Sequence, residues 1–329
     1  MAVVRRCQNG RWQGIVRRKG YPAQSRTFVS QADATKWARA VETQINSRAF
    51  EDRAPADRTT LAQAIERYLA EVTPPRKRSW RREAGGLRLL QYVFGDYTLV
   101  TLTRQAVAAF RDQRLAEGRA PATVVKDLNT LTHLLEVARR DWGYALPANP
   151  AKLVRRPSVG PGRNRRLSQA GYEQLVAACT KSRSSLLLPI VQLALETAMR
   201  LGELLSLRWE DVQGSSVRLL ATKNGHPRTV PLSSRALEIL ADIPRHISDT
   251  RVFWCWKAPD GFENTWRRAL ARTDIRDLRF HDLRHEATSR LAEKIPNMIE
   301  LAAITGHRHI QMLARYYHPK VEDLAKKLA

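Results

Sequence analysis

Apolar residues recur along most of this chain at helical spacing, and the pattern alternates in only two short regions. Residues 12–18 and 26–29 read as strands joined through Lys19-Gly20. Ser30 then caps a helix, with Asp33 at the capping-box position and Ala34, Trp37, Ala38, Val41 and Ile45 on one face. Glu51 to Arg58 reads as a polar, proline-containing linker. Thr60 caps the next helix, with Gln63 as its partner and Leu61, Ile65, Leu69 and Val72 as the apolar stripe. Pro74-Pro75 stops it, because proline has no amide hydrogen and its ring clashes with the preceding turn. Three more helices are predicted: over 83–94, from Thr103 to Gly118, and from Pro121 with Val125, Leu128, Leu131, Leu135 and Ala138 facing inward.

Residues 147–166 break the period with four prolines, two glycines, six Lys/Arg and no acidic residue. So one-signed a stretch predicts a basic strap between two domains that close around DNA. From Leu167 onward the pattern is again helical. Residues 186–195 are apolar but contain Pro189 and Gln192, and they are too short to cross a bilayer. They read as a buried helix. Strands are predicted at 217–221 and 228–232, flanking Lys223-Asn224-Gly225-His226-Pro227, where Asn-Gly is a strong hairpin signal. The expected architecture is mainly α with a small β component. It comprises a basic α+β module over 1–53, a helical domain over 59–148, a basic linker over 149–166 and a larger domain over 167–329.

Charge narrows the partner. Fifty-six Lys and Arg against 32 Asp and Glu leave +24. Residues 1–53 alone carry an excess of seven. Solubility needs far less, and no basic amphipathic anchor stands out to suggest a membrane. A polyanion fits, since neutralising each nucleic-acid phosphate releases a condensed counterion. Residues 1–12 have no apolar core of signal-peptide length. Cys7, Cys179 and Cys255 form no CxxC and no disulfide framework. The expected location is the cytoplasm, at the nucleoid.

Four segments hold polar residues that packing does not require. Arg200 opens an apolar helix with Glu203 one turn on, where the carboxylate can orient the guanidinium. Lys223 sits on the hairpin tip. His281 and Arg284 share a helix face, so the pair can address one small anion. His281 and His285 are also spaced like the histidines of a zinc-protease helix, but Asp282 stands where such a helix needs Glu, and no metal is expected. Gly306 ends a helix before His307, and Tyr316 and Tyr317 follow.

The ordered set Arg200, Lys223, His281-x-x-Arg284, His307, Tyr316, with the last two nine positions apart, resembles the tyrosine recombinase, or phage integrase, family. The resemblance covers residues 167–329 closely. The preceding helices match that family's core-binding domain by position and type, and residues 1–53 look like its arm-binding module. It implies that Arg200 and Arg284 clamp the scissile phosphate, a role suited to a planar, permanently charged fork. Tyr316 attacks phosphorus, His281 helps accept its proton, His307 supports the phosphate, and Lys223 protonates the departing 5′ oxygen. Glu203 holds Arg200. The product is a 3′-phosphotyrosyl enzyme that needs neither cofactor nor metal, and the reaction integrates or excises a mobile element. Tyr317 is the rival nucleophile, but Arg315 and His318 frame Tyr316 in the family's Arg-Tyr-x-His pattern. Arg76, Lys77, Arg78, Arg155, Arg156, Arg163, Arg165 and Arg166 are expected to meet double-stranded DNA at attachment sites. A homotetramer on DNA is implied, with residues 321–328 as an amphipathic docking segment and an excision or host DNA-bending factor as further partners. Two other readings stand beside this one: relaxation of DNA by a type IB topoisomerase, and a DNA-binding regulator without catalysis.

Overall fold

The computed structural model describes residues 2–47, 49–73, 80–146, 148–160, 162–163, 165–220 and 227–316. Among these the chain forms six strands and thirteen α-helices, grouped into two units, Met1–Pro161 and Gly162–Ala329. No helix among the described residues is long and apolar enough to cross a membrane.

The first unit opens with an antiparallel sheet of β1 (Ala2–Arg6), β2 (Trp12–Val16) and β3 (Gln24–Phe28), in that order. β1 goes beyond the two strands expected. Its arginines break the apolar alternation, and its pairing with β2, Ala2 opposite Val16 and Arg6 opposite Trp12, supplies what its sequence does not. α1 (Gln31–Asn46) covers the sheet, capped by the Ser30 hydroxyl accepting from the Asp33 amide at 3.1 Å. Val16, Ala38, Val41 and Ile45 form the small core between them.

A second, larger core follows. It is built by α2 (Ala54–Arg58), α3 (Leu61–Glu71), α4 (Trp80–Phe94), α5 (Arg104–Ala116) and α6 (Pro121–Arg140). α2 replaces part of the expected linker, and its Ala56 is fully buried in this core. The Thr60 capping box forms as expected, with the Thr60 amide donating to Gln63 Oε1 at 2.9 Å and the Gln63 amide to Thr60 Oγ1 at 3.2 Å. The predicted stripe of α3 is rotated slightly: Leu61, Ala64, Ile65 and Tyr68 are buried, while Leu69 and Val72 are only partly so. Each fully buried leucine here contributes about 2 kcal/mol.

The expected basic linker begins as part of this core. Ala151 and Val154 are buried in it. Asn149 Nδ2 donates to the Thr132 carbonyl at 2.9 Å. Arg156 donates to the carbonyls of Ala151 and Val154 and to Thr132 Oγ1, at 2.7, 2.9 and 2.7 Å.

In the second unit α7 (Gln169–Thr180) leads to α8 (Leu187–Thr197), which is apolar over most of its surface, with only Gln192, Glu196 and Thr197 polar, and therefore central. α9 (Leu201–Ser206) follows, then an antiparallel sheet of β4 (Val212–Gln213), β5 (Ser216–Leu219) and β6 (Arg228–Pro231). Val217 pairs with Val230, the register a hairpin requires. Its tip, 221–226, with Lys223 and Asn224-Gly225, lies outside the described residues. α10 (Ser234–Ala241), α11 (Pro259–Leu270), α12 (Phe280–Lys294) and α13 (Met298–Thr305) complete the unit, and two 3-10 turns end at Tyr316. α8 packs against α7, α10 and α12, so the elements that carry the predicted polar residues hang on one apolar rod.

Candidate active site

The site grows from the end of α8. Ala198 adopts a left-handed conformation (φ 52°) and stops the helix, so Arg200 becomes the extended residue that opens α9. The Arg200 amide donates to Glu203 Oε2 at 2.8 Å, and its guanidinium to Glu203 Oε1 at 2.9 Å. Arg228, the first residue of β6, donates to both oxygens of the same carboxylate at 2.8 Å. Glu203 is 4% exposed. Burial alone would raise its pKa. Arg228 and Arg200 outweigh it and hold the carboxyl at about 2.

Three guanidinium groups then meet one helix terminus. The last carbonyls of a helix lack intrahelical donors and carry a partial negative charge. α13 ends at Gly306 (φ 69°). Arg228 Nε donates to the Ile304 carbonyl at 3.2 Å, Arg284 to Thr305 at 2.6 Å and Arg200 to Gly306 at 3.0 Å. Arg284 also donates to the Ala198 carbonyl at 2.5 Å. Only 4% of Arg284 is exposed. Burial and then the like charge of Arg200 push its pKa down to about 9, and it still carries its proton at neutral pH.

This terminus sets His307. The Thr305 hydroxyl donates to the Leu301 carbonyl at 2.7 Å. It therefore accepts from His307 Nδ1, also at 2.7 Å, and that nitrogen carries a proton. Burial, then Arg284 and Arg200, lower the imidazole pKa to about 3. Tyr316 sits on the 3-10 turn Ala314–Tyr316 behind Leu313, which packs with Ala292 and Leu301. Its ring lies 6.5 Å from that of His307. Burial raises the phenol pKa, against the pull of Arg315 and Arg284. Its hydroxyl hydrogen-bonds His285 Nδ1, and the two rings stack at 5.8 Å.

Arg200, Glu203, Arg284, His307 and Tyr316 therefore gather around the turn that follows α13. His281 is exposed on the otherwise buried first turn of α12, with its ring edge-on to His285 at 5.1 Å. Lys223, Tyr317, His318 and residues 321–328 fall outside the described residues. Sequence reasoning passed over Arg228 and saw His285 only as a metal partner. Its available signals were an arginine opening a strand after the hairpin and a histidine directly after Arg284.

The expected DNA contacts divide. Arg163 is bound to Asp277 at 2.8 Å and to the buried Asp282 at 2.9 Å, and Arg166 to the buried Glu286 at 2.7 Å. Arg165 reaches the Arg276 carbonyl at 3.4 Å. Arg156 is engaged within the helical core, whereas the Arg155 side chain is exposed. Arg76, Lys77 and Arg78 lie outside the described residues.

Comparison with known proteins accords with this geometry. Residues 165–323 match the phage integrase family. The shufflon-specific DNA recombinase of Escherichia coli is 39% identical over 279 residues, 82% of this chain and 71% of that protein. A Haemophilus influenzae protein assigned as an integrase/recombinase is 32% identical over 331 residues, 96% of this chain and 87% of that one. The lambda integrase dimer bound to a COC′ core site shares the fold, with a TM-score of 0.67 at 18% identity, over 96% of this chain and 94% of that one. The chain belongs to the phage integrase family of tyrosine recombinases. It is a site-specific DNA recombinase, an enzyme that transfers DNA strands.

Proposed function

We propose that this recombinase cuts each strand through Tyr316, forming a 3′-phosphotyrosyl intermediate, and integrates or excises a mobile element. The observation that carries the reading is the gathering of Arg200, Arg284, His307 and Tyr316 around the turn after α13. Arg200 and Arg284 clamp the non-bridging oxygens, where charge accumulates as phosphorus becomes five-coordinate. Each is held by protein oxygens before DNA arrives, so little reorganisation accompanies the reaction. With Nδ1–H given to Thr305, His307 donates to a phosphate oxygen as the imidazolium. The incoming phosphodiester charge works against the burial and the Arg284 and Arg200 charges that otherwise keep it neutral. His281 assists deprotonation of the phenol, and Lys223 protonates the 5′ oxygen. The bond energy stays in the phosphotyrosine, and a 5′ hydroxyl from a partner strand reverses the step.

The N-terminal module and the helices of 59–148 are read as arm-type and core-type DNA-binding domains. Arg76, Lys77, Arg78, Arg155, Arg156, Arg163, Arg165 and Arg166 are read as DNA contacts, with the exposed Arg155 touching the phosphate backbone. The active species is a homotetramer on two attachment sites, with an excision or DNA-bending factor setting direction, in the cytoplasm at the nucleoid. The test uses a nicked duplex from the ends of the element that encodes the chain. Wild type should give a covalent protein–DNA adduct that resists denaturation, and Tyr316→Phe none. An adduct with Tyr316→Phe moves the nucleophile elsewhere. No adduct with either protein, despite binding, favours a non-catalytic regulator, and relaxation of plasmids lacking the site favours a topoisomerase.

A further inference from the structure

We propose that His285 is a catalytic residue that takes the phenolic proton of Tyr316 during strand cleavage. This rests on Tyr316 being the nucleophile. The hydroxyl of Tyr316 is hydrogen-bonded to His285 Nδ1, and the stacked rings, inclined by 27°, hold the pair in register. His285 projects from α12 directly after Arg284, so the helix that places a phosphate clamp also places the proton acceptor. His281, one turn earlier and exposed, meets His285 edge-to-face, so the help it gives to deprotonation passes through His285, which is the one seen bonded to the phenol.

The environment suits an acceptor. His281, Asp282 and Arg284 on α12, His307 after α13, and Arg315 and Tyr316 on the 3-10 turn surround the His285 ring. Burial first, then His281 and Arg315, hold its pKa at about 4, so the imidazole is neutral near pH 7 and offers a lone pair. Before DNA binds, the proton stays on the phenol, whose pKa burial has raised. As the tyrosyl oxygen bonds to phosphorus, it becomes an ester oxygen and must release that proton. Nδ1 of His285 accepts it. The phosphorus–5′-oxygen bond breaks with its electron pair on oxygen, and the general acid assigned to Lys223 protonates the leaving group. Rejoining returns both protons.

The test pairs His285→Asn with the nicked-substrate assay. Asparagine keeps an acceptor near Nδ1 yet cannot take a proton. Adduct formation should fall by about 100-fold, with DNA binding by gel shift unchanged. Replacing Tyr316 by a fluorinated tyrosine that ionises near neutral pH removes the need for a proton acceptor. In that background the His285→Asn deficit should shrink to about threefold. A purely structural role would leave the deficit the same in both backgrounds, and that result would overturn the proposal. So would wild-type cleavage by His285→Asn. Tyr316→Phe run in parallel separates the two ideas: an adduct there refutes Tyr316 as nucleophile, whereas its loss beside a fully active His285→Asn refutes only the role of His285.

Discussion

The arginine hub and the tyrosine turn belong to one unit but are held by different means. Glu203, Arg200, Arg228 and Arg284 are locked by paired charges and by three consecutive carbonyls at the end of α13. Tyr316 hangs from single-turn 3-10 segments, with a cluster of Ala292, Leu301 and Leu313 behind it. A buried charge network costs several kcal/mol to disrupt, whereas a small apolar cluster under short turns opens at low free energy. The half proposed to bind phosphate is thus pre-built, and the proposed nucleophile is carried by the half with less holding it. Damage to the hub should appear as lost stability as well as lost activity, and damage at the turn as lost activity alone.

Tyr316→Phe probes the turn and has the largest expected effect. Adduct formation should drop at least about a thousandfold, as when a nucleophile is removed from other covalent enzymes. Only the hydrogen bond to His285 is lost, about 1 kcal/mol, so melting should shift by about 2–4 °C or less. A collapse of thermal stability in this variant would break the contrast. Glu203→Ala probes the hub. It strands two guanidinium groups in a buried pocket and should cost about 3–5 kcal/mol in denaturant unfolding, with cleavage lost alongside. Near-wild-type unfolding would show that the hub is not what holds this region.

How much of this was legible in the chain depended on distance along it. The Arg200–Glu203 pair is one helical turn apart, and the side chains meet as the spacing predicts. Capping at Ser30 and Thr60 was equally local. Arg228 reaches Glu203 from 25 residues away, and His285 meets Tyr316 across 31, so no periodicity connects either pair. The His281-x-x-Arg284 spacing predicts a shared face but not depth: Arg284 is buried and His281 is exposed. Charge counting likewise gives no pairing: Arg163 and Arg166 meet Asp277, Asp282 and Glu286, which lie more than 100 residues later. β1 and β4 escaped notice because each is a strand by virtue of the neighbour it pairs with.

Acid sharpens the comparison, since both regions contain groups with lowered pKa. His285 and His307 fall from an ordinary 6.5 to about 4 and about 3. The stability linked to them is present in full above 6.5 and is lost as pH falls through those values. Glu203, held at about 2 against an ordinary 4.5, adds a contribution present above 4.5 and lost towards pH 2, on the order of 3 kcal/mol. Denaturant unfolding at pH 7, 5.5, 4 and 3 should show wild type weakening from pH 6.5 downward and more steeply below 4.5. Glu203→Gln should flatten only the lower part. If it leaves that slope unchanged, the carboxylate is not the group that acid protonates.

Gly306→Ala gives the smallest effect and is the finest probe of how the halves are joined. Gly306 ends α13 at φ 69°, a conformation in which a side chain is strained by about 1 kcal/mol. An added Cβ would also sit 3.0 Å from Arg228 Cδ, Nε and Cζ, and so would press on the side chain that grips Glu203. Arg228 is long enough to yield a few tenths of an ångström, so the expected loss stays near 1–2 kcal/mol. The pressure moves the hub and not the turn. Weaker binding of site DNA with an unchanged adduct-forming rate at saturating DNA would place the Gly306 turn on the clamp side of the comparison. A fall in the saturated rate alone would mean that this turn chiefly serves the Tyr316 side.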